Sequence, residues 1–310
     1  MIVTTSRTGG SLYASNENYI RKSATLGSFT NNAGLERGGI AAAGSQTGDM
    51  VEVIQKMDLD NFGYGNNQAN LATQVRRLAP IANASIAQSA MASFTLPINA
   101  IDRRLSALRG ECCVSEGNTA EGSSHDSGAW LKGLGSYAMQ EQLGEYDGYS
   151  STLYVGALGF DGCVSENLLL GIAGGYAATK VEQKDFRNGD KMQIKNYQVM
   201  GYLNLDVTSA FYLSGAVSYG FDKYDGHRAA AVGRTADANF DGRQFGADLG
   251  IGYGIKLGNK TTFTPMASVD YKQLKQDGYT ETGAGAISLN VDEQSLNPTC
   301  LAVGARLATE

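Results

Sequence analysis

One short segment restricts the possible folds of this chain more than any other feature does. Residues 244–257 read QFGADLGIGYGIKL and alternate strictly, with apolar side chains from Phe245 to Leu257 and glycine or polar residues from Gln244 to Lys256. A period of two predicts a β-strand with two different faces. The apolar face is long enough for the roughly 9–11 residues with which a tilted strand crosses a bilayer. The segment is therefore typical of a membrane-spanning strand whose second face lines a lumen.

The same alternation recurs along the C-terminal part of the chain. Segments with this pattern lie at about 127–139, 150–161, 167–180, 196–205, 211–222, 244–257, 261–275 and 285–307. They predict an all-β fold, an antiparallel transmembrane β-barrel with about eight recognisable strands. Long charged links at 140–149, 181–191 and 225–240 alternate with short ones. Outer-membrane barrels pair long external loops with short periplasmic turns, so the strand from Trp130 is expected to run outward.

Composition argues against several other classes of protein. The formal net charge of −6 does not suit a nucleic-acid-binding surface. The longest nearly apolar run, Leu168–Ala178, is too short for a membrane helix. Residues 1–20 lack the charged region and apolar stretch of a secretory signal. An exported chain with this start is expected to be a fragment, or to have a misassigned start.

Three regions differ in residue pattern. Residues 1–66 are rich in Gly, Ser, Thr and Asn and show little periodicity, apart from a short helix predicted over about 49–60. Residues 67–126 are predicted to be a helical linker. Within it, Pro97 and Gly110 bracket a helix over about 97–110. The strands occupy residues 127–310.

Three sequence blocks resemble the translocator domain of bacterial autotransporters, the type V secretion proteins. They are AWLKGLG at 129–135, YDGYSSTLYVGALGFD at 146–161 and YKQLKQDGYTETGAGAISLNV at 271–291. The resemblance extends over roughly residues 68–307. It implies a barrel in the outer membrane, with a helix in its lumen that joins an exported N-terminal passenger to the first strand.

The resemblance also implies roles for the three regions. The helix over 97–110 would lie in the lumen, and residues 1–66 would be a passenger remnant. The implied partners are outer-membrane lipid, the chain's own passenger segment, the barrel-assembly machinery and periplasmic chaperones, with no nucleic acid and no cofactor. Family barrels have twelve strands and end on an aromatic residue, whereas this chain shows about eight and stops at Glu310. A domain truncated at its C-terminus is therefore expected.

Two other interpretations compete with this one. A small eight-stranded outer-membrane barrel could act as an adhesin through its charged external loops, but its lumen would have no space for a helix. A soluble all-β binding protein would need a second packed layer against strand faces that here carry Gly, Asn, Gln, Ser and Asp. The helical linker and the polar strand faces favour the translocator.

Asn99, followed by Ala100, resembles the site at which some autotransporters release their passenger. There the asparagine side-chain amide attacks its own backbone carbonyl to form a succinimide, assisted by acidic groups on the barrel wall. Candidate acids on the predicted lumen face are Asp206, Asp222 and Asp248. The alternative is that Asn99 is an ordinary polar residue near the start of a helix. Apart from this reaction, the chain is not expected to be an enzyme.

The basic residues of the same helix suggest how it is held. Arg103, Arg104 and Arg109 surround its apolar positions. We expect these arginines to contact lumen acids and to keep the helix in register.

A weaker motif suggests calcium. Asp237, Asn239 and Asp241 resemble the first half of a calcium loop, with oxygen ligands at alternate positions. Asp248 stands where a bidentate glutamate belongs, but it falls on the lumen face of a predicted strand and cannot fold back easily. A solvated external loop is therefore favoured, and no metal site is predicted.

The four cysteines show no zinc-ligand spacing. Cys112, Cys113 and Cys163 all fall near the predicted periplasmic rim. A disulfide from Cys163 to Cys112 or Cys113 is compatible with an oxidising periplasm. Unpaired thiols are nevertheless the favoured interpretation, and Cys300 has no obvious partner.

Overall fold

The computed structural model describes residues 2–4, 6–7, 10–11, 23–25, 49–50, 53, 56, 77–78, 83–108, 127–142, 147–257 and 261–309. Its long elements are helix α1 (Asn83–Leu108) and strands β1 (Ser127–Gln140), β2 (Tyr149–Ser165), β3 (Leu168–Gln183), β4 (Lys191–Asp206), β5 (Phe211–Ala229), β6 (Thr235–Tyr253), β7 (Thr261–Gln276) and β8 (Thr299–Thr309). Short strands are Ile2–Thr4, Ser6–Arg7, Gly10–Ser11, Ser23–Thr25, Ile255–Lys256, Tyr279–Thr280, Asn290–Val291 and Gln294–Leu296. Single 3-10 turns are Asp185–Arg187, Ala231–Gly233 and Gly285–Ile287.

The eight long strands form one antiparallel sheet in chain order, from β1 at one edge to β8 at the other. This confirms the predicted antiparallel strand fold. Helix α1 packs against β2, β3, β4 and β5. Within the described residues β1 and β8 do not pair with each other, so the sheet curves around the helix without closing. An eight-stranded barrel closed on itself would fill that space with its own side chains.

The two faces of each strand differ as the alternation predicts. Along β6, Gln244 is buried beside the helix while Phe245, Leu249 and Ile251 are exposed on the outer face. Along β4, the outer face is apolar from Tyr197 to Leu205. This length agrees with the roughly 9–11 residues needed to cross a bilayer. The outer face is therefore suited to lipid.

Aromatic side chains mark one boundary of this apolar band. Tyr176, Tyr197 and Phe221 are direct cross-strand neighbours on β3, β4 and β5. The rings of Tyr176 and Tyr197 lie 5.1 Å apart. Beyond them the outer face becomes charged at Lys195 and Lys223. The row has the position of an interfacial aromatic girdle.

The links that were predicted to be external are shorter than the sequence suggested, with one exception. The predicted link 225–240 shrinks to residues 230–234, because β5 and β6 stay paired as far as Ala229 and Thr235. The predicted strand over 285–307 is also wrong in its bounds. Residues 277–293 instead form a long link, and pairing with β7 begins at the short strand Gln294–Leu296 and continues in β8 from Thr299.

Helix α1 starts earlier than predicted and continues through Pro97. Proline removes one backbone hydrogen bond from a helix interior, which is why the sequence placed a helix start there. Upstream, residues 49, 50, 53 and 56 are helical, in agreement with the short helix predicted over 49–60. No helix among the described residues is both long enough and apolar enough to cross a membrane.

Candidate functional site

The apolar side of helix α1 is buried against the concave face of the sheet. Its fully buried side chains are Phe94, Ile98, Ile101 and Leu105. They pack on lumen-facing residues of β3, β4 and β5, including Leu169, Met200 and Ala216. Their spacing of three and four residues places them along one stripe of the helix. The sheet is therefore shaped to hold this helix rather than to fill its own interior.

Two lumen glycines give the helix room. A Cβ atom added at Gly246 would lie 2.9 Å from Cε1 of Phe94, and one added at Gly220 would lie 3.1 Å from the same ring. Real Cβ contacts at these distances are overcrowded. The Phe94 ring thus occupies the space that two missing side chains leave on β5 and β6. Gly246, on the lumen face of the segment 244–257, is therefore needed as space for the helix.

An ion pair holds the C-terminal half of the helix. Nη2 of Arg104 donates to Oδ1 of Asp161 at 2.8 Å, and Nε of Arg104 also contacts Oδ2 of the same carboxylate. The hydroxyl of Tyr202 donates to Asp161 at 2.8 Å, and Nε1 of Trp130 donates to that hydroxyl at 2.8 Å. Charge-assisted bidentate contacts of this kind fix geometry as well as adding energy. The four side chains connect α1 to β1, β2 and β4.

The other predicted arginines are placed differently. Arg103 is exposed, and Arg109 lies outside the described residues. Asp161 was not among the candidate acids, although it shares the alternation phase of the lumen-facing Gly159. That phase was the available signal in the sequence.

Hydrogen bonds hold the N-terminal half of the helix. Nε2 of Gln244 donates to the backbone oxygen of Ala90 at 3.1 Å. Nε2 of Gln183 donates to Oγ of Ser85 at 2.8 Å. Ser89 donates to the Ser151 hydroxyl at 3.1 Å. Polar lumen positions on β2, β3 and β6 thus fix the register of the helix.

Asn99 lines a polar cavity of about 310 Å³ between the helix and strands β5 to β8. Helix residues Asp102 and Ser106 line it from the same side as Asn99. Asp248 on β6 and Asp270 on β7 face them, and these two carboxylates are direct cross-strand partners. The cavity therefore brings an asparagine near the exposed side of α1 together with three acidic residues.

The other two candidate acids lie outside this cavity. Asp222 accepts hydrogen bonds of 2.8 Å from both Asn196 and Gln244. It lies nearer the N-terminal end of the helix, beside Ala90. Asp206 ends β4 at the opposite rim, where Asn204 donates to it at 3.2 Å. Of the predicted acids, only Asp248 lines the cavity with Asn99.

The calcium motif was predicted to lie in a solvated external loop, but it lies within strand β6. Asp237, Asn239 and Asp241 are alternate, exposed residues of β6. Because alternate residues of a strand are spread along one face, these side chains cannot wrap around one ion. Asp237 instead contacts Nδ1 of His227 across the hairpin at 2.7 Å. No cluster that could hold a metal occurs in the part of the chain that the structure describes.

The cysteine prediction needs a correction. Cys163, near the end of β2, is disulfide-bonded, whereas Cys300 carries a free, exposed thiol. The partner of Cys163 therefore lies outside the described residues, as do Cys112 and Cys113. The sequence pattern favoured unpaired thiols because spacing alone does not show which cysteines meet in the fold.

Comparison with known proteins gives a consistent picture. The family model of the autotransporter beta-domain matches residues 129–310. Outer membrane protein B of Rickettsia conorii is 24% identical over 331 residues, which cover 96% of this chain and 20% of that protein. Outer membrane protein A of Rickettsia rickettsii is 27% identical over 212 residues, 63% of this chain and 9% of that protein. The chain thus spans between about a tenth and a fifth of the length of these relatives.

A solved structure shows a similar fold. The translocator domain of the autotransporter NalP from Neisseria meningitidis matches with a TM-score of 0.52 at 16% identity. The match covers 68% of this chain and 69% of that one. At this identity the likeness concerns the fold alone.

Proposed function

This chain belongs to the autotransporter family, and we propose that it serves as the outer-membrane translocator and anchor of an N-terminal passenger. The observation that carries the proposal is helix α1, held inside the curved sheet by Phe94 and Arg104. A helix in this place leads the chain from the end with the long links to the start of β1 at the other end. Outer-membrane lipid would cover the apolar band, and barrel-assembly machinery and periplasmic chaperones would be the partners during insertion.

The proposal can be tested in Gram-negative cells that make the full chain behind a signal sequence and an N-terminal epitope. We expect the epitope to be at the cell surface, where added protease removes it from intact cells. The matched control lacks residues 127–310 and should keep its epitope inside the outer membrane. An epitope that stays protected in the full chain, although the protein reaches the outer membrane, would contradict translocation.

We further propose that the chain cleaves itself after Asn99. The Asn99 side-chain nitrogen attacks its own carbonyl carbon, the bond to Ala100 breaks, and a succinimide and a free Ala100 amine result. A carboxylate of the cavity removes the proton from the attacking nitrogen, and a carboxylic acid protonates the departing amine. The polar cavity shared by Asn99, Asp248 and Asp270 supports this assignment.

Mass analysis of the exported protein tests the cleavage. A product beginning at Ala100 should appear in the parent protein and be lost in Asn99→Ala. Ser106→Ala is the matched control, because Ser106 lines the same cavity and takes no part in the reaction. An intact chain in the parent, or an Ala100 product in Asn99→Ala, would exclude this chemistry.

A further inference from the structure

Two links at the outer end of the sheet carry a cluster of apolar residues. Such a cluster is unusual in links that reach into water. Ala230, Ala231 and Val232 form the tip of the β5–β6 hairpin and are buried. Ala284 and Ile287, from the long link after β7, are buried in the same cluster. We call these five residues the loop pocket. Surface loops are normally polar, so an apolar tip indicates something that covers it.

The covering residues come from the region upstream of the lumen helix. Val53 is only 2% exposed and belongs to the same buried cluster, with Met50 and Leu78 packed against it. In sequence these residues precede α1. The occupant of the loop pocket is therefore a segment of this chain.

Charged contacts at the rim orient that segment. Nη2 of Arg234 lies 2.7 Å from Oδ1 of Asp49, and the backbone N–H of Ala286 donates to Oδ2. The hydrogen bond from Arg234 holds the pKa of Asp49 below its ordinary value, so the carboxylate is charged at neutral pH. Gly285 has a φ of +64°, and a Cβ there would collide with the Asp49 carboxylate. The link is thus shaped around this carboxylate.

A second contact lies nearer the helix. Nη1 of Arg77 donates to the backbone oxygen of Ala229 at 3.1 Å, and its guanidinium lies 5.3 Å from the centre of the Phe186 ring. The backbone oxygen of Arg77 in turn accepts a hydrogen bond from Arg228. Nε of Arg228 donates to Glu281 at 2.9 Å, and both side chains are almost fully buried. Three external links therefore hold the chain at two points.

We propose that the loop pocket captures the segment around Asp49–Val53 after it emerges from the lumen and holds it at the outer mouth. The captured chain cannot slide back, because apolar burial at Val53 and the Asp49–Arg234 pair would both have to be lost. This inference rests on the proposed translocator function, since the segment must first reach the cell surface. It assigns the external loops a role as a binding surface for the exported chain itself.

Thiol labelling of intact cells tests the capture. In a Cys300→Ser, Asn99→Ala background, in which the proposed cleavage cannot release the segment, Val53→Cys and Lys56→Cys are compared with a maleimide that does not cross membranes. Lys56 is the matched control, because it lies on the same helical segment and is exposed. We expect Lys56→Cys to react at least tenfold faster than Val53→Cys. Adding Arg234→Gln or Asp49→Asn should bring the two rates together, whereas Arg234→Lys should retain part of the protection.

Other outcomes would overturn the proposal in distinguishable ways. Equal labelling of both thiols in the parent would refute capture while leaving translocation intact. Protection of Val53→Cys that persists in Arg234→Gln and Asp49→Asn would show that the loop pocket is not what buries it. No labelling of Lys56→Cys on cells with normal outer-membrane levels would refute translocation, and capture with it.

Discussion

At the scale of single residues, the Arg104–Asp161 pair attaches the lumen helix through two charge-assisted contacts. The Asp161 side chain is 4% exposed and the Arg104 side chain 26% exposed. Replacing a buried pair by apolar residues is often neutral, but removing one partner leaves an uncompensated charge. Asp161 would keep only the hydroxyl of Tyr202 as a direct hydrogen-bond donor from the network described above. Deleting Arg104 would therefore leave the Asp161 carboxylate buried without its charged partner.

We expect Arg104→Ala to lower the free energy of unfolding by about 3 kcal/mol, the lower end for a broken buried pair because the guanidinium is partly solvated. Trp130 is the single tryptophan and reports on this network, so its fluorescence during urea unfolding in micelles measures the change. Arg103→Ala is the control and should change stability by less than about 0.5 kcal/mol. Equal effects of the two substitutions would show that the ion pair does not stabilise the fold.

Gly246 makes a second residue-scale prediction. Gly246→Val would push its side chain into Phe94 and the Ser218 hydroxyl. Overpacking of this kind costs about 1–3 kcal/mol, so the helix should leave the lumen at least about fivefold more often. Trypsin cleavage at Arg103 in micelles measures this opening.

Control variants distinguish the clash that Gly246→Val makes with Phe94 from a general loss of stability. Gly133→Val is the control, because no atom lies within 4 Å of a Cβ at that exposed position. In a double-mutant cycle, Gly246→Val combined with Phe94→Ala should lose less protection than the sum of the two single losses, because the clashing ring is absent. Cleavage of Gly246→Val at the parental rate would contradict the role of this glycine as space for the helix.

Individual residues also show what sequence alone could predict. The lumen phase of Asp248 and Gln244 followed from strict alternation, because a strand has only two faces. Asp161 and Asp270 share that phase but were missed, since alternation states which face a side chain occupies and not which neighbour it meets. Partners across the lumen depend on strand register, which the sequence pattern leaves undetermined.

At the scale of elements, the β5–β6 hairpin shows why a polar stretch was mistaken for a loop. Beyond the apolar band, the outer strand face carries exposed polar residues such as Asp237 and Asp241. The inward face stays small and buried at Ala236 and Ala238. Polar composition there signals solvent on one side, not the end of the strand.

In helix α1, too, tertiary packing outweighs a local sequence preference. Proline within a helix costs about 3 kcal/mol, so the sequence alone predicts a helix start at Pro97. Burial of Phe94 before it and Ile98 after it offsets that cost, since each fully buried large apolar side chain contributes about 1.5–3 kcal/mol. Packing inside the sheet therefore decides the extent of the helix.

A disulfide at Cys163 makes a prediction for the turn between β2 and β3. Because Cys163 is bonded, it should resist alkylation in denatured, unreduced protein, whereas Cys300 should react fully. Peptide mass spectrometry before and after reduction measures both sites. Cys300 serves as the internal control for complete denaturation and reagent access. Alkylation of Cys163 without reduction would show that the bond does not form in the cell.

At the scale of the whole molecule, the outer surface is divided by the row of Tyr176, Tyr197 and Phe221. On one side of this row the outer face of β4 is apolar, and on the other it carries Gln193 and Lys195. The family model begins at residue 129, so the match to known barrels includes all eight long strands apart from the first residues of β1. The alternation predicted this band, but the openness of the sheet depends on how many strands share the lumen with the helix.

The apolar band predicts that the energetic cost of an added charge depends strongly on its depth in the membrane. Val199 lies within it and is 66% exposed to the surroundings of the outer face. Val199→Arg should destabilise the protein in lipid vesicles by about 1–3 kcal/mol, because Val199 lies between the aromatic row and the bilayer midplane, whereas Gln193→Arg, on the same face above the row, should cost about 0–1 kcal/mol. Both values follow from unfolding monitored by Trp130 fluorescence. The two variants add the same charge to the same strand, so their difference reports the position of the membrane. If both substitutions cost the same, the apolar band would not face lipid, and the assignment of the aromatic row to the interface would fail.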